Sequence, residues 1–188
     1  MVDKELIIPA AGRILISKPS LDDFYFGKSV VLLAEHNEEG SFGVIVNKPM
    51  NAGLQDAIEG FRDFNPPLFF GGPVETDTMF FIHSLGLVVP GAQKIREGLY
   101  WGGDPDKIRE MVILNQIKPG EIRFFLGYSG WSADQLDQEI NRDSWIVSEA
   151  RSERIFNTKP EEMWSSAMKS LGKDYAIWAN LPSDPELN

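Results

Sequence analysis

Residues 29–47, SVVLLAEHNEEGSFGVIVN, decide the fold class. Two runs rich in Val, Leu, Ile and Phe, residues 29–35 and 42–47, flank a polar segment, residues 36–41 (HNEEGS), that contains Gly40. Branched and aromatic runs bounded by turn residues read as strands, and the intervening segment has the length of a hairpin loop. The spacing predicts an antiparallel pair. Upstream, residues 13–17 (RILIS) add a third strand. Downstream, residues 68–70, 79–83 and 99–101 are apolar runs bounded by Gly or Pro that read as buried strands, while residues 54–61 read as one short helix. Pro49, after Asn47-Lys48, reads as a strand exit, since proline donates nothing to a ladder.

The second half carries helix signals. Asp104-Pro105 is an N-cap and first-turn pair, and Ile108, Met111, Val112 and Asn115 follow at helical spacing until Pro119-Gly120. Residues 121–127 (EIRFFLG) read as a strand leading into a GYSGW loop. Ser132 with Gln135, and Thr158 with Glu161, match the capping box in which a hydroxyl and a side chain three residues on satisfy each other's backbone N–H. They predict helices through Leu136 and Ile140, and through Met163 to Leu171, where Gly172 ends the turn. A strand is expected at residues 144–147, and the acidic, Pro-containing tail after residue 181 is expected on the surface. Strands and helices neither alternate strictly nor segregate cleanly, which makes the class α+β, with residues 1–188 as a single domain.

Composition excludes several functions. The 188 residues hold 28 Asp+Glu against 18 Lys+Arg, a formal charge of −10, and no two Lys or Arg are adjacent. Affinity for a polyanion comes from neutralising phosphates with cations, so no direct nucleic-acid binding is expected. The absence of Cys excludes disulfides, thiolate metal sites and cysteine nucleophiles and fits a cytoplasmic chain. The N-terminus, MVDKELIIPA, has no basic region and too few apolar residues for a signal peptide, and the longest apolar run, residues 30–34, is far below a membrane span of roughly 18. No secretion and no membrane contact are expected.

Candidate chemistry is sparse. His36 and His83 are the only histidines, and a metal site needs three or four ligands, so Glu35, Glu38 or Asp22 would have to complete one; no metal and no cofactor are expected. A hydrolase would use His36 or His83 with a carboxylate, and Ser29, Ser129 or Ser132 is the nucleophile on offer. No Gly-x-Ser-x-Gly elbow exists, because Gly127 stands one position too close to Ser129. Gly71-Gly72-Pro73 offers backbone N–H groups to an anion or simply turns the chain, and Trp131 is either a core plug or a pocket wall. Loops positioned by a sheet are where binding residues concentrate. The expected patch is therefore His36, Asn47, Gly71, Gly72, Pro73, Tyr128 and Trp131, bordered by Asp22 and Phe24.

One resemblance runs through these residues. Gly12-Arg13-Ile14-Leu15-Ile16, Asp22, Phe24, residues 29–33, Glu35-His36 and Gly43 through Asn47-Lys48-Pro49 come first. Phe70-Gly71-Gly72-Pro73-Val74, His83, Gly127-Tyr128-Ser129-Gly130-Trp131, Gln135-Leu136, Glu139 and Trp145 follow in order. The chain resembles the AlgH/YqgE family of bacterial proteins over nearly its whole length. For the fold, the resemblance implies an α+β domain whose strongly bent mixed sheet folds into a partial barrel with flanking helices. For function, it implies only a proposed role in transcriptional regulation, with no agreed substrate, cofactor or catalytic residues. The expectation is a regulatory or binding protein acting through a protein partner or small ligand, with hydrolysis as the alternative.

Overall fold

The structure, a computed structural model, describes residues 7–180 apart from 22 and 62. The hairpin forms as β2 (Val30–Asn37) and β3 (Gly40–Ile45), with β1 (Arg13–Ser17) antiparallel to β2. The strands run further than the hydropathy suggests. His36 pairs with Ser41 and Asn37 with Gly40, so the expected six-residue loop shrinks to the turn at Glu38-Glu39. Asn37 Oδ1 holds that turn by accepting from the Glu39 and Gly40 N–H groups at 2.8 and 3.2 Å.

Pro49 opens a strand rather than closing one. β4 (Pro49–Gly53) pairs with β5 (Pro67–Phe70), and between them the helix α1 keeps only Leu54–Ala57. The chain continues through β6 (Val74–His83), β7 (Gln93–Arg96), β8 (Leu99–Trp101) and α2 (Pro105–Ile113). Asp104 caps α2 as its spacing predicts, accepting from the Asp106 and Lys107 N–H groups, though the helix stops six residues before Pro119. β9 (Ile122–Ser132), α3 (Gln135–Asn141), β10 (Trp145–Glu149), α4 (Ser152–Asn157), α5 (Pro160–Ser170) and α6 (Lys173–Ala176) complete the chain.

GYSGW is therefore strand, and both capping boxes are corrected. The N-cap of α3 is Asp134, in the left-handed region at φ 60°; Gln135 still reaches back to the Ser132 N–H at 3.0 Å, but the Ser132 hydroxyl donates to that same amide oxygen instead of accepting from the helix. Thr158 ends α4, and α5 starts at Pro160, whose fixed φ opens a helix without any side-chain cap. The tail after residue 181 lies outside the described residues.

The ten strands form one sheet in the order β10-β1-β2-β3-β9-β6-β8-β7, with β5 and β4 branching from β9. β9 is the joint. Its first half pairs antiparallel with β6 and parallel with β5, whereas its second half, Ser129 to Ser132, pairs antiparallel with β3. The change of neighbour falls at Gly127, at φ +71°, where the strand must bend in a way that favours glycine.

Bending divides the apolar side chains among three clusters. Val30, Leu32 and Val44 of one half-sheet meet Phe69, Ile82 and Phe125 of the other inside the curl, closed by Ile155 of α4 and Met163, Trp164 and Met168 of α5. Outside, α2 covers Leu68, Ile122 and Phe124, while α3 covers Leu15, Val31, Leu33 and Ile45. Alternate residues of β2 and β9 thus serve different clusters, the period of two that a pleated strand imposes. The far edges of the sheet meet where Glu149 of β10 pairs with both Arg13 of β1 and Arg96 of β7. The result is an α+β half-barrel. No helix among the described residues is long and apolar enough to cross a membrane.

Candidate functional site

The patch expected from sequence is split by the fold into buried supports and surface groups. Asn47 Oδ1 accepts from the Val30 N–H at 2.8 Å and its amide donates to the Lys28 carbonyl at 3.0 Å, so both ends hold the entry to β2. Gly71 and Gly72 are buried where the chain crosses β9. The Gly71 carbonyl accepts from the Ile45 N–H and the Ser129 hydroxyl, both at 2.9 Å, and a Cβ on Gly72 would stand 2.2 Å from the Tyr128 carbonyl. These glycines permit two backbones to touch.

His36 lies on β2, its Nδ1 2.8 Å from Ser41 Oγ. His83 is fully buried: Nε2 lies 3.0 Å from the Gly102 carbonyl, Nδ1 accepts from the Leu85 N–H at 3.3 Å, and the ring stacks on Tyr100. Burial pushes its pKa below the usual histidine value. Among the described residues neither histidine hydrogen-bonds a carboxylate, and no group of three or more His, Asp or Glu is placed to hold a metal ion. Ser29, Ser129 and Ser132 each donate elsewhere, to Phe26 O, Gly71 O and Gln135.

Two adjoining concavities share Gly130 and Trp131 of β9, and the consecutive residues Pro73 and Val74 divide them. The first is an open groove of about 400 Å³ under the β2–β3 hairpin, lined by Glu35, Asn37, Glu39, Phe42, Val74 and Tyr128 among others. Its aromatic floor is continuous with the interior: the Phe42 ring centroid is 4.8 Å from both Tyr128 and Trp101. The second is a cavity of about 350 Å³ between α3 and Leu21, Asp23 and Phe26, lined also by Pro73, Trp131, Gln135, Glu139 and Trp145 among others. Of the predicted patch, Tyr128 lines the first concavity, exposed Pro73 lines the second, and Trp131 lines both although it is only 6% exposed and packs in the core with Leu15 and Leu33, whereas His36, Asn47, Gly71 and Gly72 line neither.

Sequence reasoning left Glu139 out of the patch. Its Oε2 accepts from the Trp131 and Trp145 indole N–H groups at 2.9 and 2.8 Å, and its Oε1 accepts from the Gln135 amide at 3.0 Å. The signal was the Gln135–Glu139 spacing of four, which places both on one helix face eight residues from Trp131. The segment opposite is fixed too. Asp23 Oδ1 accepts from the Tyr25 and Phe26 N–H groups at 2.8 and 2.9 Å, and Lys48 Nζ donates to the Tyr25 carbonyl. Burial lowers the Lys48 pKa, against an opposing pull from Asp23. Phe24 is 92% exposed, its ring edge-on to Tyr25, which stacks on Phe70. Asp22 lies outside the described residues.

A curled sheet with one long strand shared between its halves, and helices packed on it, defines a half-barrel class of α+β proteins. The chain belongs to the AlgH-like family, whose model matches residues 14–176. It is 43% identical to a UPF0301 protein of Chlorobaculum parvum over all of both chains, and 45% identical to one of Bacteroides fragilis over 97% of this chain and 93% of that one. The solution structure of AlgH from Pseudomonas aeruginosa is similar at a TM-score of 0.72 and 29% identity, covering 92% of this chain and 94% of that chain. A Corynebacterium diphtheriae crystal structure shares the fold at a TM-score of 0.79 and 23% identity, over 94% and 95%.

Proposed function

We propose that the protein is a regulatory or binding protein that acts through a protein partner or small ligand seated at Trp131, and not through DNA. The supporting observation is the meeting of two concavities at Trp131, each with polar groups already held in place. Pockets of roughly 300–1,000 Å³ with a few fixed polar groups are the usual form of ligand sites. The second reading is a hydrolase using His36 or His83 with a carboxylate, and the observation in its favour is His36 Nδ1, 2.8 Å from the Oγ of Ser41, which lines the groove. It ranks second because the groove presents Glu35 and Glu39, charges that oppose an oxyanion. Two-dimensional NMR of the labelled protein, titrated with a metabolite and fragment set and with fractionated cell extract, tests the binding reading. Shifts should gather on Trp131, Tyr128 and Gly130. Shifts confined elsewhere, or none, overturn the reading.

A further inference from the structure

The cavity between α3 and the residues Leu21, Asp23 and Phe26 has a composition that selects its occupant. Three of its walls are aromatic and set at steep angles or tilted: Phe26 to Trp145 is 5.5 Å at 79°, Trp131 to Trp145 is 6.0 Å at 81°, and Phe26 to Trp131 is 6.1 Å at 35°. Among the described residues its ionisable lining groups are Asp23 and Glu139, and none is Lys or Arg. Glu139 is the decisive group. Its three hydrogen-bond donors are neutral, so the carboxylate is ordered without being neutralised, and among the described residues no cation pairs with it. A carboxylate offers about four lone-pair positions, and these bonds use three, leaving one on Oε1.

We infer that this cavity binds an organic cation, a protonated alkylamine, with its ammonium group on the open position of Glu139 Oε1 and its alkyl stem against the aromatic walls. The inference rests on the proposed reading of the Trp131 region as a binding surface. The apolar ring surfaces take the alkyl stem out of water, and a pre-ordered counter-charge avoids the entropy of ordering it on binding. An inorganic divalent ion fits less well: such ions take six or more oxygen ligands or strict octahedra, whereas here Asp23 Oδ1 is already engaged by two backbone N–H groups. An anion is repelled by both carboxylates. The amine has two sources, a free small molecule or the lysine side chain of a partner, and the groove next door distinguishes them. It carries Glu35 and Glu39, so the rest of a lysine peptide would cross those charges while a small amine would not reach them.

The test uses n-butylammonium, n-butanol and butyrate as size-matched probes of positive, zero and negative charge, followed by NMR at the Trp131 and Trp145 indole N–H signals. Butylammonium should shift both indoles, with binding weakened at least tenfold by Glu139→Gln and by several-fold in Asp23→Asn, which keeps the Oδ1 acceptor of its turn. A lysine-containing tripeptide should bind more tightly than butylammonium if the source is a partner, and Glu35→Gln with Glu39→Gln should weaken the peptide alone; equal sensitivity of both ligands assigns a small amine. Butanol binding as well as butylammonium, or binding unaffected by both carboxylate changes, overturns the cation assignment and leaves the binding reading standing. No indole shift with any probe while the fragment set still maps to Trp131 has the same meaning. Silence of both experiments overturns both.

Discussion

A histidine with no exposed surface and both ring nitrogens engaged favours its neutral form. At His83 the acceptor at Gly102 fixes the proton on Nε2, and the Leu85 N–H leaves Nδ1 as the acceptor. The unfolded chain takes up a proton near the ordinary histidine pKa of about 6.5, whereas burial holds the folded value lower. The unfolded state therefore binds more protons once the pH falls below about 6.5, and folding stability contributed by this group is complete above that pH and lost below it. The slope has a ceiling of about 1.4 kcal/mol per pH unit. Urea unfolding from pH 7.5 to 5 should show the wild type losing stability faster than His83→Gln, and parallel curves would falsify the assignment. Arg123 is the opposite case. It is buried and charged, donates to the Val46 carbonyl at 2.6 Å and lies 4.6 Å from the Phe69 ring, and burial lowers its pKa to about 10. His83 ends an apolar run, a position that reads as a satisfied, half-buried histidine, whereas Arg123 interrupts one and cannot be told from a surface group by pattern, because its partners come from distant strands.

The crossing of β9 by residues 71–73 shows where element-level reading succeeds and where it fails. Apolar runs located β1, β2, β3, β5 and the second half of β6, and the Asp104-Pro105 signal located α2, since each reports on local chemistry. GYSGW did not reveal itself as strand. A glycine required by a close backbone approach looks the same in sequence as a glycine required by a turn, and here Gly71, Gly72 and Gly127 serve the former: a Cβ on each would stand 2.2 to 2.4 Å from a carbonyl oxygen of the facing chain. β4 and β7 were equally hidden, being polar or proline-led edge segments whose pairing is decided by their neighbours. The prediction at this scale is Gly72→Ala. The methyl meets the Tyr128 carbonyl, a rigid backbone group, and the residue sits at φ +152°, so the variant should lose about 3 kcal/mol or more, at the severe end for single substitutions. A denaturant midpoint within error of the wild type would mean the two strands do not cross this closely.

At the scale of the molecule, the question left by composition is whether folding collects its scattered cations into a face that grips nucleic acid. The antiparallel order of β1, β2 and β3 does bring Lys18, Lys28 and Lys48 to one rim, since they follow the end of β1, precede the start of β2 and follow the end of β3. Each is turned to a local task. Lys18 pairs with Asp143, Lys48 is half-buried against the Tyr25 carbonyl beside Asp23, and Lys28 lies 5.3 Å from the Trp164 ring centroid. A duplex-binding face commonly engages about 6–10 phosphates, and three committed lysines on a chain of charge −10 do not supply that. Fluorescence anisotropy with a labelled random duplex at physiological salt should therefore show no binding in the range of about 10⁻⁴ to 10⁻⁶ M where non-specific binders fall. Micromolar affinity that drops steeply as salt is raised would show that the rim lysines are released for phosphate contact, and would move any regulatory role from a partner to the DNA itself.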